Sequence, residues 1–149
     1  MSVQKSFRFL GFITLVCFMM VSGCSSPPKK LDSSISGPQA IVNPETIRLG
    51  VVKMRDINIV FEGAGFEPKA GDSVLITLTG PNETRVIAAE APIQSDGTFK
   101  ATVPPLTKIM EFLKADVTFN EKFENVVVIS QPSIPEGVYK AKVDSMISK

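Results

Sequence analysis

The chain has 149 residues, room for one domain of ordinary size and for no second enzyme-sized core. Lysine and arginine total 16 against 15 acids, a balance with no electrostatic pull toward nucleic acid, so no nucleic-acid partner is expected. Histidine is absent and cysteine occurs twice, which removes the usual neutral-pH general base and the usual zinc ligands; neither catalysis nor a metal or other cofactor is expected.

Residues 1–23 open with the cations Lys5 and Arg8, continue as an apolar run over 9–21, and end on the small residues Ser22 and Gly23. This is the layout of an export signal. The run falls short of the about 20 apolar residues a helix needs to span the hydrocarbon core, and Pro27 and Pro28 stop any extension, so a permanent transmembrane helix is the poorer reading. Val21-Ser22-Gly23-Cys24 resembles the lipobox of bacterial lipoproteins, where small residues before an obligatory cysteine let the peptidase reach the bond. The resemblance implies cleavage before Cys24 and lipidation of its thiol. A single acyl chain anchors only marginally, and lipoproteins of this type carry more than one, so the membrane becomes a stable partner through the lipid anchor. Cys17 would leave with the leader, which leaves no thiol for a disulfide or redox chemistry. Ser25 follows the cysteine where aspartate would favour inner-membrane retention; that resemblance implies the outer membrane, facing the periplasm or the surface.

Residues 24–39 are rich in Ser, Pro, Lys, Gly and Asp and read as a flexible tether, with Lys29 and Lys30 keeping it solvated rather than touching headgroups. Residues 40–149 read as the folded domain. Period-two alternation, the spacing that puts alternate side chains on one face of a strand, predicts strands over 57–61, 74–78 and 98–103. Weaker strands are expected over 46–49, 85–89, 125–130 and 138–143, about seven in all, enough for a sandwich. Between them Gly63-Ala64-Gly65, residues 68–71, Gly80-Pro81-Asn82 and Ser95-Asp96-Gly97 have turn chemistry. Leu106, Ile109, Met110 and Leu113 follow helical spacing and predict a short amphipathic helix over 106–114, its stripe packed on the core. The run Val126-Val127-Val128-Ile129 is continuous, fitting a strand covered on both faces better than one with an apolar surface left open.

Phe61-Glu62-Gly63-Ala64-Gly65-Phe66-Glu67-Pro68, Gly71-Asp72-Ser73-Val74-Leu75-Ile76, Asp96-Gly97-Thr98-Phe99 and Val103-Pro104 resemble the bacterial Ig-like domains of envelope and surface proteins. In those domains a G-x-G-F-x-P turn leads into one strand and a D-G-x-F turn opens a later one. The resemblance covers roughly 57–143 and implies an all-β, Ig-like β-sandwich. It assigns structural roles to Gly63, Gly65, Phe66, Gly97 and Phe99, because turns between sheets need backbone angles that a Cβ penalises. Pro135-Glu136-Gly137-Val138-Tyr139 resembles the P-x-G-x-Y segment of the same group. It makes Gly137 structural and Tyr139 a tyrosine corner, with its ring in the core and its hydroxyl bonded to nearby backbone. The segment 105–131 is longer than that pattern provides. The tyrosine strand is usually the next-to-last, yet only 144–149 follow; either the topology differs or the sheet keeps an open edge able to accept a strand.

Gly63-Ala64-Gly65 lacks the glycine, lysine and helix of a nucleotide loop. No G-x-S-x-G elbow activates a serine, and the neighbouring Lys142 and Ser145 read as surface residues rather than a dyad. Asp72 and Asp96 occupy turns, where carboxylates fit the local geometry, and no calcium loop or paired-carboxylate cleft is spelled out around them. The expectation is a non-enzymatic structural or binding module whose partner is an envelope protein or polysaccharide. Its rivals are an accessory subunit completed by a partner's strand and a carbohydrate-binding domain.

Overall fold

Eight strands, all paired antiparallel, form three small sheets in the computed structural model, which describes residues 27–68 and 72–147. In chain order they are β1 (Gln39–Asn43), β2 (Val60–Ala64), β3 (Ser73–Thr79), β4 (Arg85–Pro92), β5 (Phe99–Thr102), β6 (Ala115–Phe119), β7 (Asn125–Ile129) and β8 (Lys140–Met146). The first sheet runs β1-β2-β5, the second β4-β3-β8, and β6 and β7 form a separate hairpin. The all-β reading holds at this level.

Alternation explains the core. Phe61, Phe99 and Ala101 of the first sheet and Val74, Ile76, Val86, Ala88 and Ala91 of the second turn one face of each strand into a single buried cluster. The register between β3 and β4 slips at Ile76/Thr77, so that two consecutive residues of β4, Ala88 and Ala89, are both buried. Such an extra residue in one strand bends the sheet. Helix α1 (Val51–Asp56) adds Met54 to the core from one side.

Several expectations need correction. Residues 46–49 are not a strand; they lie between Pro44 and Gly50, and the ladder position beside β2 is filled by β1. The expected strand over 57–61 begins at Val60 and runs on through Ala64, since Ile57 caps the end of α1. Within 27–38, the described part of the expected tether, side-chain bonds tie the chain to β1. The Asn43 side-chain amide exchanges two hydrogen bonds with the backbone of Lys29 (2.8 and 3.0 Å), and that of Gln39 exchanges two with Asp32 (3.0 and 2.7 Å). Each amide stands in for a peptide group and lays 29–32 along the outer edge of β1. Composition does not reveal such bonds.

The helix over 106–114 is present but out of phase. We label it α2: an α-helical turn, Pro105–Thr107, continues as a π-helical turn, Lys108–Phe112, and Leu113 N–H donates to Lys108 O at 3.2 Å. The wider turn rotates the stripe, so Leu106 and Met110 are exposed while Lys108, Phe112 and Leu113 are buried. The Val126–Ile129 run is not covered on both faces: Val126, Val128 and Ile129 are exposed on a hairpin that touches the core mainly at its root, Ala115, and through Val127.

Candidate functional site

The first and second sheets diverge on the side where β1 and β8 are their edges, opening a cleft of about 790 Å³. Its floor is apolar: Phe61, Ile59, Leu78 and Phe112. One wall is 44–49, the segment between β1 and α1, and the other is 134–138, which leads into β8.

The second wall is pinned at both ends. Ile134 N–H donates to Phe112 O at 3.0 Å, and the Tyr139 hydroxyl donates to Pro135 O at 2.8 Å. The Tyr139 ring covers Gly80, where any Cβ would collide with it, and a Cβ on Gly137 would run into Pro81. Burial pushes the Tyr139 phenol up from its ordinary value, with a contact from the Thr84 hydroxyl opposing. The phenol is therefore a neutral donor that holds backbone, not a base.

Gly63, Gly65, Phe66, Gly97 and Phe99 meet at one corner of the first sheet, away from this cleft. Gly63 faces Phe99 across the β2–β5 ladder, and its missing Cβ leaves room for the Phe99 ring. Phe66 packs edge-on against Phe99, with ring centroids 5.1 Å apart at 74°. Phe66 N–H donates to Gly97 O at 3.1 Å. Gly97 (φ +75°) and Gly65 (φ +80°) hold left-handed backbone, and a Cβ at either would strike a carbonyl, that of Phe66 or that of Gly37. These five residues shape a corner; none offers chemistry to a ligand.

The cleft's rim carries Glu45, Arg48 and Glu136. Glu45 pairs with Lys29, whereas Arg48 and Glu136 make no ion pair among the described residues. An apolar floor with unpaired charges at the mouth suits an extended apolar segment whose ends are polar. Asp96 is committed to its own turn: the Thr98 hydroxyl (2.7 Å) and then the Thr98 amide (3.0 Å) hold its carboxyl below the usual range. Asp72 is buried, and its Oδ1 has no partner among the described residues. No group of three metal-ligating side chains and no helix long and apolar enough to cross a membrane occurs among the described residues.

Sequence reasoning missed the rim residues and Lys108. The Lys108 ammonium donates to Ile57 O (2.7 Å) and Arg55 O (3.3 Å), satisfying carbonyls at the end of α1. That contact anchors α2, which supplies Phe112 to the cleft floor. Cys24, the expected lipidation site, lies outside the described residues. No family model, no curated protein and no solved structure matches the chain.

Proposed function

We propose that this chain is a bacterial envelope lipoprotein, anchored through lipid on Cys24, in which residues 40–149 form an Ig-like β-sandwich. It serves as a non-enzymatic structural or binding module at the outer membrane. The export-signal layout and the lipobox-like Val21-Ser22-Gly23-Cys24 support the anchor. Two three-stranded sheets turned onto one core and the Tyr139 hydroxyl bonded to Pro135 O support the sandwich. The observation that carries the binding role is the apolar cleft between the sheets, with its 134–138 wall pinned at both ends and charges at its mouth. Its occupant is an extended apolar segment of an envelope protein or polymer.

Intact-mass measurement of the full chain expressed in a bacterium tests the anchor. The expected product has lost residues 1–23 and gained lipid mass on Cys24. An unmodified thiol, or a retained leader, overturns it.

A second reading is favoured by one feature. Among the described residues β8 is hydrogen-bonded on one side only, to β3, which leaves the other edge of that strand open. This fits an accessory subunit completed by a strand from another chain.

A further inference from the structure

The outer edge of β8 is the longest unbroken strand edge left unpaired among the described residues. Among the other strand edges, β1 is covered by 29–32 through Asn43 and Gln39. β4 is bulged at Ala88, opposite the Ile76/Thr77 step of β3, and ends on Pro92, which donates no hydrogen bond. β5 has only four residues. β8 has seven, bonded to β3 throughout its length, with nothing paired to its other side among the described residues. Lysines on an edge ordinarily repel a second strand. Here Lys140 and Lys142 are followed by Asp144 on the same outer face, and the arrangement has a centre.

The geometry points to an isologous dimer in which β8 pairs antiparallel with β8 of a second copy about a two-fold axis at Val143. It rests on the open-edge reading above, commits the donor strand to a second copy, and does not depend on acylation at Cys24. Antiparallel pairing about Val143 sets Lys142 opposite Asp144 of the other copy, and the symmetry makes that pair twice. Lys140 then lies opposite Met146, its stem along the thioether chain, and on the inner face Ala141 lies opposite Ser145. No like charges meet. Moving the axis one residue places Lys142 against its own copy, and moving it the other way places Asp144 against its own copy. A single register therefore satisfies the charges. Within one copy, Lys142 Nζ is 2.6 Å from Asp144 Oδ1, and both side chains are accessible enough to exchange that partner for one across the axis. The result is one continuous six-stranded sheet, β4-β3-β8 joined to β8-β3-β4.

The test uses the full chain in detergent, with its mass followed by sedimentation over a concentration series. The expected outcome is a monomer–dimer equilibrium weakened by salt. K142D and D144K each replace two attractive cross-strand pairs with two repulsive ones and weaken association about tenfold or more, while the double variant K142D/D144K restores it. The thermal unfolding of each variant separates lost pairing from lost folding. As a check that does not rely on charge, V143C in a chain carrying C17S and C24S brings two sulfurs face to face on the axis and forms an intermolecular disulfide absent from the same chain without V143C. A monomer at all concentrations whose outward β8 amides exchange fast overturns self-pairing and leaves the open edge standing. A monomer whose β8 amides exchange slowly overturns the open edge as well. A dimer indifferent to both charge variants, or crosslinked through V127C on the hairpin and not through V143C, overturns the β8 interface.

Discussion

In the paired three-stranded sheets Val74, Ile76, Phe61 and Phe99 lose nearly all contact with water, whereas on the β6–β7 hairpin Phe119 keeps 67% of its surface exposed and Ile129 62%. The residue types are the same. What differs is the layer opposite: β3 and β4 share one core with β2 and β5, while past Ala115 and Val127 the hairpin meets no second layer among the described residues. Apolar, β-branched sequence is enough to make a strand, but burial also requires another element with a face to spare. A two-stranded ribbon alone is marginal in water, so the hairpin depends on its root and on its tip turn.

The largest effect should come from the corner where the two sets of turn residues meet. Phe99 is 2% exposed, fills the space left by Gly63 and meets Phe66 edge-on. Phe99→Ala should cost about 3–5 kcal/mol by urea denaturation, a large share of the about 5–15 kcal/mol that holds an ordinary domain. A loss below about 1 kcal/mol would show that this corner contributes no more than the hairpin does.

The cleft wall should respond less. Tyr139→Phe keeps the ring over Gly80 and removes only the bond to Pro135 O, for an expected loss of about 1 kcal/mol. Tyr139 is the only tyrosine and the chain has no tryptophan, so its phenolate absorbance can be followed alone in an alkaline titration. Because burial raises its pKa in the folded state, the midpoint should lie above the ordinary value of about 10. The linked stability is complete below that ordinary value and is lost as pH rises through the folded one. A midpoint at or below about 10 would contradict a half-buried phenol packed over Gly80.

How much of this was legible follows from which contacts are local. Alternation over 74–78 and 98–103 gave both the strand and its buried face, since each of those strands has a single covered side. The motif glycines and phenylalanines pointed to a corner because a positive φ and a missing Cβ are written into residue type. β1 was hidden because its apolar part, 40–42, is too short to show alternation, and the polar stretch before it is tied to it by the Gln39 and Asn43 side chains, which composition counts as solvated. Lys108 was illegible: its acceptors lie 51 and 53 residues away, and a lysine inside an apolar stripe reads as a solvated interruption. The π-helical turn it anchors displaced the predicted stripe. The cleft could not be read at all, because it exists only where two sheets part.

The smallest expected effect completes the comparison with Phe99 and reverses its sign. Phe123, at the hairpin tip, is 86% exposed and held at φ +58°. The turn itself is tied by Asn120, whose Oδ1 accepts from Lys122 N (2.9 Å) and Glu124 N (3.0 Å), and whose backbone N–H donates to Glu124 O (3.0 Å). The ring supports none of these bonds. Left-handed backbone costs a residue bearing a Cβ about 1–2 kcal/mol, which glycine avoids, while the freer unfolded chain of a glycine variant returns about 0.4–1 kcal/mol of that gain. Phe123→Gly should therefore stabilise by about 0–1.6 kcal/mol, with a middle value under about 1 kcal/mol. Replacing a phenylalanine at the corner of the sheets removes a large part of the fold's stability; replacing one at the hairpin tip relieves strain. A clear destabilisation in thermal unfolding would mean that the Phe123 ring is held by a contact, and that the hairpin is covered rather than open to solvent.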